Sequence, residues 1–497
     1  MSNSEKNRIY ITTAIDYVNA RPHIGHALEK IQADVIARYF RKKGFDARFL
    51  GGTDDNALKN VLAAKAAGVS TSEFVDTNAE VFRGLKDALD ITWDDFIQTT
   101  EKRHKKGVEK FWRACDPNDI YKKAYRGLYC VGCEEFKTEK DLVEGKCPEH
   151  PNTLLEEVAE ENYFFRLSAY GEKLKKLIES DELKIVPESR KNEMLSFINQ
   201  GLEDFSISRS RARAQDWGIL VPDDPEQIIY VWFDALLSYI TALGYGADSA
   251  LFKKYWEEND NILHVIGKGI TRFHAIYWPA MLMSARVKPP RTIFSHGYIT
   301  SEGQKISKSV GNVVDPYNLV KEFGAETVRY FLLREIPAHS DGDFSRARLI
   351  ERYNGDLANG IGNLVARVAA LGETISPLRI DFQSDIEKEI DAASDAARKK
   401  YEAFMEDFRL NEALGAAWEL ISIADRYIND KKPWALKEGP EFERTIKNAA
   451  YLIGTITNLV EPFLPETAEK IHTQIRFEDS MLYMKKGAGL FPRLSFH

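Results

Sequence analysis

The sequence predicts an α/β protein built on a doubly wound parallel sheet, interrupted by an insertion and followed by an all-α bundle. Three observations predict it. β-Branched runs alternate with helix-period segments over residues 1–115 and again from Ile228 to Ser295. Between them, over 116–190, the rhythm breaks and three of the four cysteines fall within 18 positions. Beyond 345 strand patterns nearly vanish, and four periodic segments follow at 346–374, 385–408, 410–430 and 441–475.

Composition narrows the class. At 497 residues, 44% hydrophobic and 29% charged, the chain has material for a large core and is neither disordered nor fibrous. Net charge is 68 − 76 = −8, which disfavours a protein that coats nucleic acid uniformly. The amino terminus lacks an apolar signal region, and no apolar run reaches 18 residues. A cytoplasmic protein with no membrane partner is expected.

The elements follow in order. Arg8 to Ala14 is β-branched and aromatic, as a buried strand requires. Asn19 to Pro22 is turn chemistry, and from Ile24 apolar residues recur at Ala27, Leu28, Ile31, Val35 and Tyr39 with helical spacing. Ala47 to Leu50 predicts a second strand, leading into Gly51-Gly52-Thr53-Asp54-Asp55 and a helix over Ala57 to Ala67. Asn162 to Arg166 is a strand of the insertion. Ile228 to Phe233, Ile262 to Ile266 and Thr292 to Ser295 resume the parallel sheet, whose ligands belong at its carboxyl ends.

Three constellations carry chemistry. His23-Ile24-Gly25-His26 opens a helix directly after a strand, where unpaired N–H groups and the helix dipole favour an anion. Two imidazoles three residues apart share a face and donate to phosphate oxygens, while Gly25 leaves room for a ring against the backbone. Lys305-Ile306-Ser307-Lys308-Ser309 places two lysines about a serine loop, suited to a leaving pyrophosphate. Cys130-Val-Gly-Cys133 and, thirteen residues on, Cys147-Pro-Glu-His150 supply four ligands for one tetrahedral, structural Zn²⁺. Cys115 has no partner in sequence and is expected to be a buried hydrophobe.

The pairing of the first two motifs resembles class I aminoacyl-tRNA synthetases, and the whole chain resembles the methionyl-tRNA synthetase family. Its HIGH signature stands complete at 23–26; its KMSKS signature appears as KISKS at 305–309. That resemblance implies a Rossmann-like catalytic domain at 1–115 and 191–300, a zinc-knuckle connective insertion at 116–190, a KISKS and stem-contact region at 301–345, and a helical anticodon-binding domain at 346–497. It implies catalysis by His23, His26, Lys305 and Lys308, and ATP binding by these with Gly25, Gly267, Lys268, Ile299 and Ser309. Methionine would be held by Ile15, Tyr17, Asp54, Arg209, Trp232, Ala235, Leu236, Tyr239, Ile270, His274 and Trp278, and the anticodon by Asn363, Arg367 and Trp434.

The same resemblance implies ATP with Mg²⁺, L-methionine, and initiator and elongator methionine tRNAs as partners, in a monomer. The chain departs from the family pattern at Asp16, where a proline or aromatic is usual, and at Gly269, where Asp is usual. It also departs at Ile306 and in the ending of the Thr53–Ala57 loop, where the family has histidine and glycine.

Overall fold

The computed structural model describes residues 7–132, 135–137, 139–148, 151–306 and 311–492. The chain divides into two compact units, Met1–His296 and Gly297–His497.

In the first unit, among the described residues, seven strands form one parallel sheet. They are β1 (Arg8–Thr13), β2 (Asp16–Tyr17), β3 (Asp46–Asp54), β4 (Asp95–Gln98), β5 (Lys184–Val186), β6 (Ile262–Gly267) and β7 (Thr292–His296). The order is β2–β3–β1–β6–β7–β5, with β4 also paired to β3. All but the first residue of β1 are buried, because helices cover both faces of a parallel sheet. Helices α1 (Ile24–Lys42), α2 (Leu58–Ala67), α3 (Lys102–Ala114) and α4 (Val231–Leu236) position the site.

Two expectations change here. The second strand does not stop at Leu50 but runs through Gly51 and Gly52 to Asp54. A Cβ at Gly52 would lie 2.5 Å from the Ile97 carbonyl oxygen, so the neighbouring strand demands that glycine, while one at Gly51 would press on the Trp93 ring at 3.0 Å. The Ile228–Phe233 run is no strand of the parallel sheet. Asp224–Ile229 is the centre of an antiparallel sheet, between Ser208–Ser210 and Leu220–Val221, and the chain turns at Tyr230 into α4. Every residue of the run is buried, and uniform apolarity does not distinguish a buried strand from a buried helix.

The insertion forms an antiparallel sheet in the order Glu135–Lys137, Ile120–Cys130, Glu156–Phe165, Phe205–Ser206. Strand β5, inside the 116–190 span, joins the parallel sheet against β7.

The second unit begins with a small sheet of Ile299–Ser301, Gln304–Lys305 and Gly342–Phe344. Helices α5 (Asn363–Glu373), α6 (Lys388–Glu406), α7 (Leu410–Lys431), α8 (Pro440–Val460) and α9 (Pro465–Gln474) follow. The expected 441–475 segment is two helices, because Pro465 cannot continue α8 and instead starts α9. A further sheet, Leu378–Arg379 with Met481–Met484 and Ile475–Glu478, was not apparent from the strand pattern.

Candidate active site

The amino terminus of α1 follows β1 and β2 and is capped by its own histidines. His23 has extended backbone, and its Nδ1 accepts from the Gly25 N–H at 3.1 Å; the His23 N–H donates to His26 Nδ1 at 3.0 Å. This is the reciprocal geometry of a capping box, with imidazoles in place of hydroxyl and carboxylate. Since each Nδ1 accepts, each ring proton is assigned to Nε2. The rings stack at 3.8 Å, and His26 meets Phe82 edge-on at 5.2 Å. Burial, reinforced for His23 by His26 and for His26 by Lys30, lowers both imidazoles to about 3. Both are neutral N–H donors at physiological pH.

Below them lies a buried charge cluster. Lys30 Nζ is 2.8 Å from Asp16 Oδ2 and 2.9 Å from Glu29 Oε1, and donates to the Ala14 carbonyl at 2.8 Å. Glu29 Oε2 lies 3.1 Å from His296 Nε2 on β7. Burial raises Asp16 to about 6 against the pull of Lys30, while Lys30 and His296 hold Glu29 low in spite of burial. The sequence signal for this cluster was two adjacent charges, Glu29 and Lys30, on the apolar arc of α1. Asp16 therefore carries a built partner. Its Oδ1 is 3.9 Å from His26 Nε2, beyond hydrogen-bonding distance.

Gly267 ends β6 opposite His296, and Lys268 and Ile270 form the next turn, where the Thr271 hydroxyl donates to the Lys268 carbonyl at 2.9 Å. The carboxyl ends of β1, β6 and β7 and the start of α1 thus stand along one edge of the sheet.

Beside this edge the structure gathers most of the expected methionine residues. Trp232 stacks on Phe273 at 3.8 Å and 4°, and Tyr17 meets Trp232 edge-on at 6.4 Å. Phe273 completes that wall and was not among the expected pocket residues. Tyr239 Oη is 2.7 Å from His274 Nε2, while His274 Nδ1 lies 3.0 Å from the Ile270 carbonyl, so the tyrosine hydroxyl donates. Burial lowers His274 to about 4 and keeps it neutral. Trp278 is fully buried; its indole N–H donates to His264 at 3.3 Å and its ring meets Tyr239 at 6.2 Å. Ala235 and Leu236 are buried on α4, and Ile15, Tyr17 and Ile270 pack against the same core. Asp54 ends β3 and pairs by backbone with Tyr17.

Arg209 packs on the ring of Tyr230, two positions before Trp232. Its guanidinium lies 4.1 Å from the Tyr230 ring centroid, 4.8 Å from Phe136 and 5.3 Å from Tyr129, and donates to Ser206 Oγ and the Ser208 carbonyl.

In the insertion Cys130 ends its strand and Cys147 follows the Val143–Lys146 bridge, both fully buried. Cys133 and His150 lie outside the described residues, and among the described residues no cluster of three candidate metal ligands occurs. Two buried thiols flanking the expected gap fit half of a zinc knuckle. Cys115 is buried, and burial pushes its thiol up to about 12, as for an inert hydrophobe.

In the second unit Ile299 is buried on its short strand and Lys305 is on the adjoining one; Lys308 and Ser309 lie outside the described residues. Asn363 is exposed at the start of α5. Arg367 Nη2 donates to Asn429 Oδ1 at 2.9 Å, and its guanidinium lies 5.1 Å from the ring of Trp434, which is 46% exposed.

A parallel sheet whose carboxyl edge carries a histidine-capped helix, followed by a KISKS segment and a helical bundle, defines a class I aminoacyl-tRNA synthetase. The family model for "tRNA synthetases class I (M)" matches residues 9–153 and 151–369, and the "Anticodon-binding domain of tRNA ligase" model matches 387–486. The chain is 42% identical to the methionine–tRNA ligase of Caldanaerobacter subterraneus subsp. tengcongensis over 98% of this chain and 79% of that one. It is 43% identical to that of Thermotoga maritima over 95% of this chain and 76% of the other. Mycobacterium tuberculosis methionyl-tRNA synthetase in complex with methionyl-adenylate superposes with a TM-score of 0.91, at 38% identity, over 98% of this chain and all of that one. The chain belongs to the methionyl-tRNA synthetase family.

Proposed function

We infer that the chain is a methionine–tRNA ligase. It joins methionine to ATP, giving methionyl-adenylate and pyrophosphate, and then transfers the methionyl group to the 3′-terminal ribose of its tRNA. The methionine carboxylate attacks the α-phosphorus, so no protein nucleophile is required; positioning and charge stabilisation supply the rate.

The observation that carries the residue assignment is the reciprocal histidine cap. It commits both Nδ1 atoms to the backbone and leaves His23 and His26 as neutral Nε2–H donors at a helix amino terminus. Such donors stabilise charge developing on a phosphoryl oxygen without repelling Mg²⁺, which accompanies ATP and neutralises its phosphates. Gly267, Lys268 and Ile299 are assigned to the nucleotide, and Lys305, Lys308 and Ser309 to the departing pyrophosphate. Asp54 is assigned to the methionine ammonium. Ile15, Tyr17, Trp232, Ala235, Leu236, Tyr239, Ile270, His274 and Trp278 form the thioether pocket, which suits a polarisable, flexible ligand. Arg209, held against Tyr230 and by Ser206 and Ser208, is likewise assigned to methionine.

The described thiols support one structural Zn²⁺ held by Cys130, Cys133, Cys147 and His150, which would fold the knuckle without entering the reaction. The domain roles follow the division at 1–115, 116–190, 191–300, 301–345 and 346–497, with Asn363, Arg367 and Trp434 reading the anticodon. The enzyme is read as a cytoplasmic monomer serving initiator and elongator tRNAs. No helix of the described residues is long and apolar enough to cross a membrane. Charging of both methionine tRNA transcripts with labelled methionine tests this reading. Failure to charge either, by a folded protein supplied with ATP and Mg²⁺, would overturn it.

A further inference from the structure

A buried polar network lies behind the pocket and has no place in the chemistry above. His104, on α3, and Asp234, on α4, are both almost wholly inaccessible. His104 Nε2 lies 2.6 Å from Asp234 Oδ1, and Asn56 Nδ2 donates to Asp234 Oδ2 at 2.7 Å. The other imidazole nitrogen is 2.7 Å from Thr241 Oγ1. Both carboxylate oxygens are thereby satisfied, one from α3 and one from the segment just beyond β3. A buried carboxylate is tolerated only with such partners.

The placement gives this network a consequence. Asp54, Asp55 and Asn56 are consecutive, and their backbone is pinned. Asn60 Nδ2 donates to the Asp54 and Asp55 carbonyls at 2.9 and 3.0 Å, and the Trp217 indole donates to the Asp55 carbonyl at 2.8 Å. The Asp55 N–H donates to Thr99 Oγ1 at 2.9 Å. Asp234 lies on the short helix that carries Trp232, Ala235 and Leu236. The Asn56–Asp234 bond therefore joins the residue assigned to the ammonium, two positions away, to the helix assigned to the thioether. The separation between those two parts of a bound amino acid is what this bond sets.

We propose that His104, Asp234 and Asn56 form a tether that fixes the spacing of the methionine pocket, with His104 a positioning residue that holds Asp234 in register. This rests on the pocket assignment above. Removing the imidazole leaves one oxygen of a buried carboxylate without its donor, and Asp234 turns or draws in water; either shifts α4 against Asn56. The residues assigned to ATP, among them His23, His26 and Lys268, are not partners of this network, so KM for ATP should not register the change.

The test is ATP–pyrophosphate exchange on the full chain with His104→Ala, His104→Gln and Asn56→Ala, measuring KM for methionine and for ATP, kcat and melting temperature. His104→Ala and Asn56→Ala are each expected to raise KM for methionine about tenfold or more, the loss of one hydrogen bond to a charged group, with KM for ATP within about twofold. His104→Gln, which keeps an N–H donor near Asp234, is expected to recover most of that loss. A lowered melting temperature with unchanged KM for methionine in both alanine variants would overturn the proposal, leaving the cluster a structural one. Equal rises in both KM values would overturn it too. Absence of methionine-dependent exchange by the parent chain would refute the pocket assignment itself, and the tether with it.

Discussion

Replacing Trp434 with alanine separates anticodon reading from core packing, and the structure supplies the magnitudes. A wholly buried tryptophan truncated to alanine costs ~3–5 kcal/mol. Trp434 is 46% exposed on a four-residue helix, Pro433–Leu436, and its described ring partner is the Arg367 guanidinium at 5.1 Å. Half the burial and one exposed cation–π contact put the stability loss at about 1–2 kcal/mol. For the second unit that is a shift of roughly 2–8 °C. Losing a base stacked on the ring costs about 1–3 kcal/mol, or roughly 5- to 150-fold in the tRNA-dependent step. The expected outcome is reduced kcat/KM for aminoacylation, unchanged ATP–pyrophosphate exchange and a modest shift in melting temperature, all on one preparation. Unchanged aminoacylation would refute the role of Trp434. Parallel loss of both activities with a large fall in melting temperature would refute the packing estimate.

Three further outcomes follow from the described geometry. Lys30→Met leaves Asp16 and Glu29 buried without their shared cation; a loss of about 3–5 kcal/mol in denaturant unfolding is expected, partly recovered by adding Asp16→Asn, and a neutral single variant would contradict the cluster. His26, lowered to about 3 by burial, stays neutral when folded but binds a proton near its ordinary 6.5 when unfolded. The unfolded chain is thus favoured as pH falls below 6.5. His26→Gln should make the decline in melting temperature from pH 6.5 to 5 shallower, and an unchanged slope would show that the folded imidazole titrates normally. Cys147→Ser, or chelation, should expose the 120–165 sheet to protease before the parallel sheet, because a structural metal contributes folding free energy locally; elemental analysis showing no zinc in a protein with a protease-resistant insertion would end that reading.

Much of this was legible in the sequence because local signals and tertiary demands agree. The HIGH segment needs a strand, a turn and a helix start in succession, and β1, Pro22 and the periodicity from Ile24 provide them. The family resemblance named Tyr17, Trp232, Tyr239, His274 and Trp278 together, and Tyr17 does meet Trp232 while Tyr239 meets His274 and Trp278. What escaped were arrangements made by distant partners. The expected second strand ends at Leu50, yet Gly51 and Gly52 continue it by pairing with Phe96 and Ile97. Ile228–Phe233 is apolar on every side, so no period marked the change from strand to helix at Tyr230. Asp16 stood out as a departure, and Glu29 and Lys30 are charges on an apolar arc, but the 14 positions separating Asp16 from Lys30 hid their pairing. The His104–Asp234 pair, 130 positions apart, carries no sequence signal at all.

ATP–pyrophosphate exchange measured with each of the twenty amino acids tests the central claim most directly. Exchange dependent on methionine, and at least about a hundredfold faster in kcat/KM than with any apolar competitor, is the predicted result, since the polar and aromatic groups of the pocket discriminate by several kcal/mol. Exchange driven equally well by another amino acid, or none with methionine from a folded protein, would contradict the account.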